Sequence, residues 1–81
     1  MKTAKEMFEE YGLKYKESFC NKKMEQIMYL TDDEYSPQVI FTLCNQTYKV
    51  FYNKYSASNI DMELHKAINK QIEELGWNLE G

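Results

Sequence analysis

The chain predicts a two-layer α+β fold: helix, four-stranded antiparallel meander, helix, with both helices on one face of the sheet. Three observations lead there. Apolar residues recur at helical spacing only near the two ends, over 4–11 and 64–75. Between them the period falls to two, in short runs rich in β-branched and aromatic residues. The runs at 38–45 and 47–55 lie so close together that only a tight antiparallel hairpin connects them. With 81 residues there is room for one core, so residues 1–81 are expected to form a single domain.

The first helix begins at Thr3, which stands three residues before Glu6. In that spacing each side chain satisfies a free backbone N–H at the helix start. Ala4, Met7, Phe8 and Tyr11 make one apolar stripe, and Gly12 ends the helix in a left-handed conformation. Leu13, Tyr15 and Phe19 then alternate with Lys14, Lys16 and Ser18 as a first strand. Asn21-Lys22-Lys23 is a turn, and 24–31 a second strand. Asp32 to Pro37 is a polar connection holding the only proline.

For the last two strands Asn45-Gln46 is the expected turn. A two-residue turn pairs Leu43 with Tyr48, Phe41 with Val50 and Val39 with Tyr52. Those six residues then share an apolar core face. Ile40, Thr42, Cys44, Thr47, Lys49, Phe51 and Asn53 share the other face, with Ile40 and Phe51 at its centre; a one-residue slip would exchange the two. The closing helix takes Asp61 as N-cap and Glu63 in its first turn. Leu64, Ala67, Ile68, Ile72 and Leu75 form its stripe, and Gly76 stops it. Trp77 is expected to fold back on Ile72 as a packing anchor.

Charge and composition exclude several classes of function. The net charge is −3, divided into +2 over 1–23, −4 over 24–37, +2 over 38–57 and −3 over 58–81. All ten cations are lysine, so the planar arginine fork used to read phosphate and guanine is missing. No apolar run resembles a signal peptide or reaches the roughly 20 residues that span a bilayer, so a cytoplasmic location is expected. Cys20 and Cys44 read as small buried hydrophobes, and His65 as a partly buried, hydrogen-bonded side chain. No metal or cofactor is expected. One histidine and two distant cysteines make no zinc site, and the three glycines make no phosphate loop. Asp32-Asp33-Glu34 reads as a solvated loop and Glu73-Glu74 as a helix surface. A cysteine nucleophile with His65 as base would need the fold to join them, and no signature supports it. No catalytic activity is expected.

What remains is the second face of the sheet. Ile40, Thr42, Lys49, Phe51 and Tyr55 are the candidate partner-binding residues, aromatic and aliphatic at the centre and polar at the rim. Protein binding is the leading expectation. A weak single-stranded nucleic-acid surface is the alternative, in which Phe51 and Tyr55 stack on bases beside Lys49 and Lys54. A self-associating structural protein, such as a homodimer, is the third reading.

Both ends of the chain carry a resemblance. TAKEMFEEYG at 3–12 and AINKQIEELGW at 67–77 resemble the TAKEMFEELG-like start and AINKQIEELGW-like end of a loose group of short, uncharacterised proteins. These are encoded by phages and prophages of low-GC Gram-positive bacteria. The likeness covers about a third of the chain; the strands between match only in pattern. Where members read like ITMEELQAI before the last helix, this chain has IDMELHKAI at 60–68, so Leu64 replaces the acid of a second capping box. The resemblance brings no activity. It implies a bacterial host cell and an accessory protein that binds a host or phage protein, including as an inhibitor of host defence.

Overall fold

Thr3 opens the first helix as its spacing requires. In the structure, a computed structural model that describes residues 2–33, 35–52 and 60–77, α1 runs Ala4–Tyr11 with both halves of the capping box formed. The Glu6 backbone N–H donates to the Thr3 hydroxyl at 3.2 Å, and the Thr3 backbone N–H donates to the Glu6 carboxylate at 3.0 Å. Those Thr3 contacts, the backbone one foremost, hold the Glu6 carboxyl below its usual range. Gly12 closes the helix at φ 108°, a conformation that strains any residue with a Cβ.

Four strands follow: β1 (Lys14–Cys20), β2 (Lys23–Leu30), β3 (Pro37–Thr42) and β4 (Thr47–Tyr52), before α2 (Met62–Leu75). They form one antiparallel sheet in the order β1-β2-β3-β4, so the expected helix–meander–helix α+β architecture is present. At α2, Asp61 caps alone, its carboxylate accepting the Leu64 backbone N–H at 2.9 Å. That bond first, and the Tyr11 hydroxyl at 2.7 Å second, hold the Asp61 carboxyl below its usual range. Gly76 ends α2 at φ 74°, and the Trp77 N–H returns to the Ile72 carbonyl at 3.2 Å.

Both helices lie on the same side of the sheet. One core joins Ala4 and Phe8 of α1 and Leu64, Ala67, Ile68 and Ile72 of α2 to Leu13, Ile27, Tyr29, Val39 and Phe41. The helices are antiparallel, because contacts fasten both ends. The Ala4 N–H donates to Glu74 at 2.8 Å at one end, and Tyr11 reaches Asp61 at the other. At the centre Phe8 stacks on Tyr29 with ring centroids 3.8 Å apart, and Phe41 meets both rings edge-on at 6.2 Å. The Tyr29 hydroxyl donates to Gln71, the buried polar partner supplied by α2. Trp77 packs against the same cluster, 6.1 Å from Phe41, as expected of an anchor.

The two hairpins differ in their turns. Cys20 pairs with Lys23, leaving Asn21 and Lys22 as a two-residue loop with φ of 52° and 66°. Two left-handed residues match the twist of the strands they join. Lys22 holds that conformation with a Cβ, so Lys22→Gly is expected to raise stability by about 1 kcal/mol, read as a higher urea midpoint. An unchanged or lower midpoint would show that the turn carries no such strain.

The second hairpin corrects the expected register. Thr42 pairs with Thr47, so the turn holds the four residues 43–46 in place of two, with Gln46 at φ 54°. Phe41 faces Tyr48 and Val39 faces Val50, each two residues from the expected partner. An even shift preserves side-chain parity, so the described strand residues 39–42 and 47–52 keep their expected faces, while Leu43 and Cys44 pass into the turn. Tyr48 nevertheless lies at the outer strand and is 44% exposed, and Val50 and Tyr52 are only half-buried. Phe19 departs from expectation too: it pairs with Met24 beyond a bulge that leaves Glu25 unpaired, and is 57% exposed.

Three further expectations are corrected. Cys20 and Cys44 are exposed: Cys20 is the last residue of β1, and Cys44 lies in the turn after β3. His65 is exposed on α2 and makes its contact with Asn69 at 3.2 Å, one turn along the same helix. Asn53 and Tyr55 fall outside the described residues.

Candidate protein-binding face

With both helices on one side, the sheet's second face carries no helix among the described residues. Alternation along the strands and pairing between them determine its members. One row reads Lys16, Met28, Ile40, Lys49 across β1 to β4, and the next reads Ser18, Gln26, Thr42, Thr47. On the other side of the first row, Lys14 pairs with Leu30 and Gln38 pairs with Phe51.

Four of the expected residues, Ile40, Thr42, Lys49 and Phe51, therefore share this face, although their neighbours change. Phe51 does not sit opposite Ile40, as the two-residue turn required; it pairs with Gln38, and Ile40 lies between Met28 and Lys49. Phe51 is thus diagonal to Ile40, roughly 7–8 Å away between backbones. The Lys49 ammonium lies 5.6 Å from the Phe51 ring centroid, a cation–π contact. Gln38 is buried, its amide oxygen accepting the Thr31 N–H at 3.2 Å, so the loop after β2 closes that end of the face.

Met28, Leu30, Lys14 and Lys16 were missing from the expected set. Their alternation, Lys-Tyr-Lys in β1 and Ile-Met-Tyr-Leu in β2, was visible in the sequence, but only the β1–β2–β3 pairing aligns it with Ile40. The result is a half-buried apolar strip, Met28, Leu30, Ile40 and Phe51, between lysines on both outer strands. Among the described strand positions of this face there are four lysines, Lys14, Lys16, Lys23 and Lys49, and outside the bulge no acid. Glu25 occupies the bulge, and Asp32 lines a groove of about 270 Å³ with Lys14, Lys16 and Leu30. The helix layer has the opposite balance: three glutamates against Lys5 in α1, and three against Lys66 and Lys70 in α2.

At one end of the sheet Cys20, Lys23, Met24, Glu25, Leu43 and Cys44 line a groove of about 370 Å³. Among the described residues no three His, Cys, Asp or Glu side chains gather where they could hold a metal ion. No helix among them is long and apolar enough to cross a membrane. Compared with protein-family models, curated proteins and solved structures, the chain matches none.

Proposed function

We propose that this is a non-catalytic accessory protein that binds another protein through the open face of its sheet. The observation that carries the reading is the apolar strip of Met28, Leu30, Ile40 and Phe51, bordered by lysines and by the row of Ser18, Gln26, Thr42 and Thr47. An apolar centre within a polar rim is the usual anatomy of a protein interface. The resemblance at the chain's two ends adds a context, a phage or prophage product in a bacterial cytoplasm acting on a host or phage protein. Inhibition of a host defence is one such action.

The geometry favours protein over single-stranded nucleic acid. Base stacking needs open rings, and this face has one ring among its described strand positions, Phe51, with the Lys49 ammonium beside it. Its other large groups, Met28, Leu30 and Ile40, are aliphatic and suit apolar side chains. A net charge of −3 also opposes approach of a polyanion.

The test is affinity capture from nuclease-treated lysate of a low-GC Gram-positive host, with wild type and Phe51→Lys in parallel and folding checked by circular dichroism. One protein retained by wild type and lost from the variant is the expected result. Identical captures from the two would overturn the reading, as would retention that depends on added nucleic acid. A concentration-dependent mass of the pure protein, abolished by Phe51→Lys, would replace the outside partner with a second copy.

A further inference from the structure

The proposed binding face also carries enough detail to specify its partner's chemistry. Apart from Lys23 at the far end of β2, its lysines stand on the two outer strands. Lys14 and Lys16 stand on β1 and Lys49 on β4, so they flank β2 and β3 from opposite sides. Three strand spacings separate Lys16 from Lys49, about 14 Å between backbones. Between them run Met28 and Leu30 on β2 and Ile40 on β3. That is a floor two strands wide, apolar at Met28, Leu30 and Ile40, with Lys14 and Lys16 on one side, beside Asp32, and Lys49 on the other.

We propose that this trough receives an amphipathic α-helix of a partner protein, with carboxylates along both borders of its apolar stripe. A helix with its side chains is about 10–12 Å across, so one lying along β2 and β3 fits between the two lysine walls. Its stripe covers Met28, Leu30 and Ile40, completing on this side the layer that α1 and α2 complete on the other. Glutamates or aspartates beside the stripe then meet Lys14 and Lys16 on one flank and Lys49 on the other. A basic helix meets like charge on both flanks and is rejected. The chain's own helices cannot be the occupant, because their apolar residues Ala4, Phe8, Leu64, Ala67, Ile68 and Ile72 are already buried in the core. This inference rests on the protein-binding reading and narrows it from any protein to an acidic helix.

The test uses two synthetic helical peptides of about 18 residues, sharing one leucine stripe and differing only in Glu or Lys borders, with a single-stranded DNA oligonucleotide as third probe. Binding to the whole protein is followed by fluorescence anisotropy. The Glu-bordered peptide is expected to bind at least roughly tenfold more tightly than the Lys-bordered one. Ile40→Asp is expected to abolish binding. Lys16→Glu combined with Lys49→Glu, both exposed and so compatible with folding, is expected to reverse the preference. Equal binding of both peptides, binding of neither, an unreversed preference or a preference for the DNA would each overturn the proposal. A captured protein lost from Phe51→Lys but indifferent to the lysine reversals would overturn the acidic helix and leave the protein-binding reading standing.

Discussion

Phe8→Ala is expected to lower the stability of the chain by about 3–5 kcal/mol and to shift its urea midpoint sharply down. Phe8 is fully buried, stacks on Tyr29 and meets Phe41 edge-on, so it joins α1 to two central strands at once. Truncating such a ring costs about 3–5 kcal/mol, part from lost burial and part from the cavity left behind. At the usual stability per residue, a domain of this length has roughly 4–12 kcal/mol in total. The loss therefore removes a large share of it. Urea denaturation followed by circular dichroism measures it directly, and Phe8→Leu, which keeps most of the volume, should lose much less. A midpoint for Phe8→Ala within experimental error of wild type would mean that the Phe8–Tyr29 stack does not hold the layers together.

The second large effect lies in the buried pair Tyr29 and Gln71. Tyr29 is 1% exposed and Gln71 5%, and the tyrosine hydroxyl donates to the glutamine amide oxygen. Burial, ahead of nearby charges, pushes the Tyr29 phenol above the usual tyrosine range, so it stays protonated and remains a donor. Gln71→Leu leaves that hydroxyl unpaired, and Tyr29→Phe leaves the amide oxygen unpaired; each is expected to cost about 1–3 kcal/mol. The double variant removes both polar groups and is expected to recover much of the loss, giving a coupling of about 1–2 kcal/mol in the double-mutant cycle. If the two losses simply add, the hydrogen bond does not link sheet to helix. The pair links sheet to helix: Tyr29 sits on a central strand and Gln71 in the C-terminal half of α2.

The candidate face shows why some of the surface was readable in advance. Ile40, Thr42, Lys49 and Phe51 were placed on one face by alternation alone. That assignment survived a hairpin register wrong by two residues, since an even shift does not move a side chain across the sheet. Which residues are neighbours on that face is a different matter. Turn length decides it, and residue type alone does not select that length: Asn21-Lys22 makes a two-residue loop without glycine, whereas the chain at Asn45-Gln46 takes four residues with Gln46 left-handed. Hence Ile40 has Met28 and Lys49 beside it, with Phe51 on the diagonal.

Cys20, Cys44 and His65 illustrate a second limit. Residue type favours burial for a cysteine in a strand, yet burial depends on what lies above the position. Cys20 ends β1 and Cys44 lies in the four-residue turn, and neither is covered. His65 stands beside Leu64 on α2, but one helical step turns it away from the core and toward Asn69.

By itself, then, the sequence determined whatever local physics decides. Thr3, Glu6 and Asp61 set helix starts through bonds within four residues, Gly12 and Gly76 set the stops through their freedom at positive φ, and alternation set the faces of β3 and β4. Tertiary structure decided the rest: the four-residue turn, the exposure of the sheet's rim, and the meeting of Lys14, Lys16, Met28 and Leu30 with Ile40 and Lys49. The reason is one of range. A cap or a glycine acts on its own backbone, whereas a shared face depends on pairing between strands far apart in the chain, which no short stretch of residues encodes alone.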